Sequence, residues 1–162
     1  MSAHEGSISL RAATMEDREM VFHWRNDPFI VAHGSSHREV GWEEHRKWFD
    51  ETISGGKRRM FIVLDIENPV GQVRFDRESR NDCIISIYLL RTFTGRGWGV
   101  HAIDEACAAI FAAWDVDRVI ACVRPDNAAG RSAFLKAGFR EGGASATCPA
   151  EHYSLTLARG AP

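Results

Sequence analysis

The sequence predicts an α/β (α+β) fold, a central mixed sheet with helices on both faces, and three observations predict it. Short apolar runs bounded by turn residues recur as strands, and the stretches between them keep helical spacing. Their order is strand, two helices, three strands, helix, strand, helix, then one or two strands. At one strand-to-helix junction three glycines alternate, in Thr94-Gly-Arg-Gly-Trp-Gly-Val100.

Ile8 to Ala12 alternates as a short strand, and Thr14-Met-Glu-Asp17 has the spacing of a capping box, which predicts a helix to about Trp24 that ends at Asp27-Pro28. A polar stretch from Ala32 to Arg38 follows. Trp42, His45, Phe49 and Ile53 share one helical face, predicting a second helix from about Trp42 to Ile53, stopped by Ser54-Gly55-Gly56. Arg59 to Asp65, Val70 to Phe75 and Cys83 to Leu90 read as three strands of an antiparallel meander, divided by Glu67-Asn68-Pro69 and by the charged stretch from Asp76 to Asp82. Trp98, Ala102, Ala106, Ala109 and Ala113 predict a helix to about Trp114, and Arg118 to Val123 a compact strand. Asn127 to Ala137 is helical with Gly138 as its C-cap, and His152 to Ala158 is the last strand. The chain is expected to form one domain over residues 1–162, with 1–6 and 159–162 flexible.

With 162 residues, 44% of them hydrophobic and 26% charged, the chain has the composition of a globular domain. A net charge of -2 offers no global attraction to nucleic acid or to an anionic membrane, so neither is an expected partner and any phosphate recognition must be local. Monomer and homodimer both stay open. The four cysteines include no Cys-x-x-Cys pair, so no metal is expected; three sit in apolar runs, where cysteine is usually a small buried hydrophobe. The opening Met-Ser-Ala-His-Glu-Gly-Ser lacks the pattern of a secretion leader, and no run has the length of a membrane span. A reducing cytoplasm is the expected setting.

Glycine lets backbone approach a ligand closely, and a helix that starts there points unpaired N–H groups at an anion, so residues 94–100 suggest a phosphate of a nucleotide-like cofactor. A second motif lies just after a strand and further along the chain: Arg124-Pro-Asp-Asn127-Ala-Ala-Gly-Arg131-Ser-Ala-Phe134-Leu-Lys-Ala-Gly138-Phe139. Together the two motifs, in this order, resemble the paired signatures of the GNAT acetyltransferase family. The resemblance implies a largely antiparallel sheet of about seven strands that splays in a V, and acetyl-CoA (coenzyme A) as cofactor. It implies that the pyrophosphate lies on Thr94, Gly95, Arg96, Gly97, Trp98 and Gly99, and that pantetheine pairs with main chain near Leu89 and Leu90. A backbone N–H within Tyr88 to Leu90 would polarise the thioester carbonyl, and Asn127 would orient pantetheine or the amine. Arg131 and Lys136 could meet cofactor phosphates.

Two positions depart from the family's pattern. Thr94 replaces the usual Gln or Arg, and Phe134, among the expected cofactor contacts, stands where many relatives carry a tyrosine thought to protonate the departing thiolate. Relatives often place a glutamate on the strand that holds Ile84 to Tyr88, and this chain has none there. Asp76, Glu78, His33, His37, Tyr88 and Tyr153 are the residues that could act as base; the sequence singles out none.

The N-terminal third carries a further cluster: Phe22-His-Trp24-Arg25-Asn26-Asp27-Pro28, Trp42-Glu-Glu-His45-Arg-Lys-Trp48-Phe49, Gly71-Gln-Val-Arg74-Phe75-Asp76 and Ile85-Ser-Ile-Tyr88. It is similar to the acetyltransferases of pseudaminic-acid biosynthesis, which implies transfer to the primary amine of a UDP-linked amino sugar by direct attack in a ternary complex. Ribosomal-protein N-terminal and aminoglycoside acetyltransferases share part of the pattern. Arg25, Asn26 and Arg74 are the expected acceptor contacts, with Arg77 a further cation for a diphosphate. Trp24, Trp42, Trp48 and Phe49 are expected in the core, and His45 as a hydrogen-bonded core histidine. Two rival classes are a dinucleotide-binding fragment, opposed by Val100 where that motif wants Gly or Ala, and a non-catalytic acyl-CoA-binding sensor.

Overall fold

The computed structural model describes residues 8–34, 38–142 and 147–160. Strand β1 (Ile8–Ala12) leads through a 3-10 turn at Met15–Asp17 into α1 (Arg18–Arg25), followed by α2 (Pro28–His33) and α3 (Trp42–Ser54). The meander β2 (Arg58–Asp65), β3 (Asn68–Arg77) and β4 (Asp82–Leu89) comes next. Helix α4 (Trp98–Ala113), β5 (Arg118–Val123), α5 (Ala128–Lys136), β6 (Arg140–Glu141) and β7 (Tyr153–Ala158) complete the chain. The strands form one seven-stranded mixed sheet in the order β1-β2-β3-β4-β5-β7-β6. Every neighbouring pair is antiparallel except β4 with β5.

Alternation along the strands explains why helices cover both faces. On β2, Phe61 and Val63 join the cluster under α4, with Val73, Phe75, Ile103, Ala106 and Ile110. Met60 and Ile62 point the other way, onto Val21 of α1 and Phe49 of α3. Gly71 is required where β3 passes β4, because a Cβ there would collide with the Tyr88 carbonyl oxygen and with Leu89.

Four expectations need correction. Asp27-Pro28 does not simply end a helix; Asp27 accepts a hydrogen bond from the Phe29 N–H at 2.9 Å and caps α2, with Pro28 in its first turn. The same pair that stops one helix is also a helix start signal. Asn68 and Pro69 belong to β3, so the β2–β3 turn is Ile66-Glu67. Arg159, expected in a flexible tail, donates to the carbonyls of Phe111, Trp114 and Val116 at 2.7 to 2.9 Å. Cys122, read as a small buried hydrophobe, is disulfide-bonded to Cys148, while Cys83 and Cys107 are free and buried as expected. Among the described residues no helix is long and apolar enough to cross a membrane, and no group of His, Cys, Asp or Glu could hold a metal ion.

Candidate functional site

The sheet opens between its two parallel strands. β4 pairs with β5 only from Asp82 opposite Arg118 to Ile85 opposite Ala121; β4 then runs on to Leu89 and β5 to Val123 without pairing. β5 meanwhile pairs with β7 along its whole length, so it is drawn away from β4. The Leu90 N–H, expected to serve a ligand, donates to the Val70 carbonyl at 2.8 Å. Because successive N–H groups along a strand point to opposite edges, Leu89 is the residue in that stretch whose amide faces the opening.

The glycine junction sits at the mouth of this opening. Gly95 and Gly97 have φ of 75° and 79°, the left-handed region that glycine enters without a Cβ penalty, and Gly97 caps α4. A Cβ on Gly95, Gly97 or Gly99 would meet nothing within 4 Å, so the space over the loop is open. Among the described residues no acceptor takes the N–H of Gly95, Arg96 or Gly97, and the first N–H groups of a helix have no intrahelical partner. Sixteen aligned residues of α4 add the positive end of their dipole there. Trp98 stacks on Phe93 with ring centroids 5.4 Å apart and carries Arg96 over its ring, which braces the turn. The Thr94 hydroxyl donates to the Arg91 carbonyl at 2.8 Å and is used locally. The residues present therefore fit a diphosphate: open space, convergent amides and a helix N-terminus.

Asn127 caps α5, its Oδ1 accepting from the Gly130 N–H at 2.9 Å, and Gly130 leaves room for that folded-back side chain. The remaining amide nitrogen is the group it can offer a ligand. Phe134 is buried in the α4 cluster, edge-on to Phe139 with centroids 5.0 Å apart. Arg131 is paired with Glu141 and lies over Tyr153, so it is not aimed at the loop; Lys136 is exposed in the last turn of α5.

On the opposite face of the sheet, the side of α1 and α3, cationic and aromatic groups converge. The Arg25, Arg74 and Arg58 guanidiniums lie 4.2, 5.1 and 5.7 Å from the Trp48 ring centroid. Asp76 is the carboxylate among them, 3.1 Å from Arg74 and 3.4 Å from Arg58. Arg25 instead donates to His45 Nδ1 at 3.0 Å, and His45 Nε2–H donates to the Arg18 carbonyl at 2.7 Å, which fixes a neutral tautomer. Burial lowers the His45 pKa, and burial together with nearby Arg74 lowers that of Arg25. Trp24 meets Tyr88 edge-on at 6.2 Å, and Arg74 reaches the Ser86 hydroxyl at 3.4 Å. Burial raises the Tyr88 pKa, keeping the phenol protonated; it can donate a hydrogen bond but is no base.

The remaining expectations divide. Arg25 and Arg74 meet, whereas Asn26 spends its side chain on Val40, donating to the carbonyl at 2.9 Å and accepting from the N–H at 2.7 Å. Arg77 lies over Trp114 on the α4 face, because three residues along a strand reverse the side a residue faces. Asp76 is ion-paired and Glu78 sits in the β3–β4 turn, at the far end of β4 from Tyr88. His33 is bonded to the Phe29 carbonyl, Tyr153 lies on the α5 side under Arg131, and His37 lies outside the described residues. The sequence reading missed His152, whose two ring nitrogens are buried without a partner. Trp42 is exposed rather than core.

The sequence matches a family model described as an acetyltransferase (GNAT) domain over residues 7–140. No curated protein matches it significantly. Solved structures share the fold. Aminoglycoside acetyltransferase AAC(6')-Ib in complex with coenzyme A is 18% identical, with a TM-score of 0.81 over 94% of this chain and 95% of that one. Spermidine N-acetyltransferase from Vibrio cholerae, in complex with CoA and spermine, is 17% identical, with a TM-score of 0.80 over 94% and 96%. The Campylobacter jejuni N-acetyltransferase PseH is 17% identical, with a TM-score of 0.68 over 94% and 99%.

Proposed function

The chain belongs to the GNAT acetyltransferase family, and on that premise we propose that this acetyl-CoA-dependent acyltransferase N-acetylates a primary amine on an anionic acceptor, a nucleotide-linked amino sugar. The observation that carries the acceptor class is the group of three guanidiniums around Trp48 with one carboxylate among them. A buried guanidinium without a counter-ion is unfavourable, and an acceptor phosphate would supply the missing charge. Polycations would meet repulsion at the same place. The sequence cluster shared with pseudaminic-acid acetyltransferases supports the same class.

Acetyl-CoA supplies an activated acetyl carbonyl. The amides of Gly95 to Gly99 would bind its diphosphate, and the Leu89 N–H would donate to the carbonyl oxygen as negative charge develops. Asn127 Nδ2 would orient pantetheine, while Arg25 and Arg74 hold the acceptor so that its amine attacks directly within a ternary complex. We propose that residues 1–162 form a single acetyltransferase domain.

Thiol release from acetyl-CoA tests the proposal across a UDP-linked amino-dideoxy sugar, a peptide N-terminus, a polyamine and an aminoglycoside. Release is expected with the sugar nucleotide at a kcat/KM at least tenfold above the others. A preference for the polyamine or the aminoglycoside would overturn the anionic-acceptor reading, and no release from any would favour an acyl-CoA-binding sensor.

A further inference from the structure

Phe134 has no proton to give, β4 carries no carboxylate near the opening, and Tyr88 is held protonated, so the reaction needs another group to move its proton. The Gln72 Oε1, the Tyr88 hydroxyl and both ring nitrogens of His152 are buried with no hydrogen-bond partner. Leaving a polar atom buried and unbonded costs about 1–3 kcal/mol. Such atoms in one region point to a polar ligand that completes their bonding.

Register brings them to one region. The last β4–β5 pair is Ile85 with Ala121, both in the α4 cluster. Three residues further on, alternation turns Tyr88 on β4 and Arg124 after β5 to the opposite face. Tyr153, the first residue of β7, pairs with Val123 and packs under Arg131 on the α5 side, and His152 immediately precedes it in the chain. Tyr88 on β4 and His152 just ahead of β7 thus lie on the two sides of β5. Two strand spacings, about 10 Å, separate the two backbone positions before the splay adds more. The His152 segment is anchored: Cys148 is disulfide-bonded to Cys122 on β5, and the His152 N–H donates to the Pro149 carbonyl at 2.9 Å.

We propose that His152 is the residue that moves the proton during acetyl transfer. The inference rests on the reading of the chain as an amine acetyltransferase. The acceptor binds as its neutral amine. As its nitrogen bonds to the acetyl carbonyl carbon, a ring nitrogen of neutral His152 takes the surplus proton. The carbon–sulfur bond breaks, its electron pair leaves with sulfur, and the imidazolium returns the proton to that thiolate. Amide, thiol and neutral His152 result, so no other donor is needed at position 134. Other charged and titratable groups on this face are Tyr88 from β4, Arg124 after β5, Arg18 and Arg25 from α1, His45 and Asp50 from α3, Arg58 from β2, and Arg74 and Asp76 from β3; Arg124 is ion-paired with Asp126 and donates to the Ala32 and Gly34 carbonyls of the α2 end.

The test compares wild type with His152→Gln, using whichever amine of the panel the wild type acetylates, so that failure of the acceptor reading shows first and separately. In His152→Gln, kcat is expected to fall at least a hundredfold with little change in KM, and the acid limb of kcat expected of wild type should be absent. The second readout needs no turnover: in wild type saturated with coenzyme A, the His152 imidazole NMR signals, identified by their loss in the variant, should shift on adding the amine. Should His152→Gln melt well below wild type, His152→Asn is measured in its place. A kcat within threefold of wild type, an unchanged acid limb, or unmoved imidazole signals would overturn the proposal.

Discussion

Gly97→Glu is expected to abolish acetyl-CoA binding, with calorimetry showing an affinity loss of about a thousandfold. Two effects combine. At a φ of 79° a side chain strains the backbone by about 1–2 kcal/mol. The larger effect is electrostatic: a carboxylate about 4 Å from the diphosphate is repelled by about 4 kcal/mol at an effective dielectric of about 20. A change of 1.4 kcal/mol is about tenfold in affinity, so repulsion alone reaches the expected range. Gly97→Ala separates the two, since it adds strain without charge and should weaken binding by about tenfold or less. Equal, small losses in both variants would mean that the diphosphate lies elsewhere.

Arg25→Met is expected to raise the KM for the anionic acceptor by about 10- to 100-fold, with kcat changed far less. A hydrogen bond to a charged group contributes about 1.5–3 kcal/mol, and that range sets the factor. Methionine keeps an apolar side chain against Trp48, 4.2 Å from the native guanidinium, while it removes the charge. It also leaves the His45 Nδ1 without its donor, so some thermal stability should be lost, and kinetics should be read well below the melting temperature. Arg25→Lys separates charge from shape: it should recover part of the KM if charge dominates, and little if the planar stack on Trp48 matters more. A KM unchanged in Arg25→Met would remove the cationic cluster from the acceptor site.

Elements whose pattern repeats over many residues were legible before the structure. The short strand runs of β2 to β4 and the single buried face of α3 depend only on local pattern, and each element is found there, with the start of β3 moved to Asn68. The glycine loop was legible because its requirement is also local: left-handed backbone at Gly95 and Gly97, and open space over them. What escaped depends on partners distant in sequence. Asn26 looked available until the structure supplied Val40, 14 residues away, as its partner. The Cys122–Cys148 bond depends on how β5 and the segment before β7 are brought together, which spacing does not encode. His152 means little as an isolated histidine and gains its place only when Tyr153 pairs with Val123. Arg77 is different in kind, because strand alternation from Arg74 already places the two on opposite faces.

The account turns on loop amides that hold a diphosphate so that the acyl end enters the gap beside Leu89. Backbone amide NMR with coenzyme A tests this most directly. The N–H signals of Gly95, Arg96, Gly97 and Gly99 should move strongly downfield at saturation, with that of Leu89 shifting as the gap fills. Coenzyme A that binds while those glycine amides stay unmoved would contradict it.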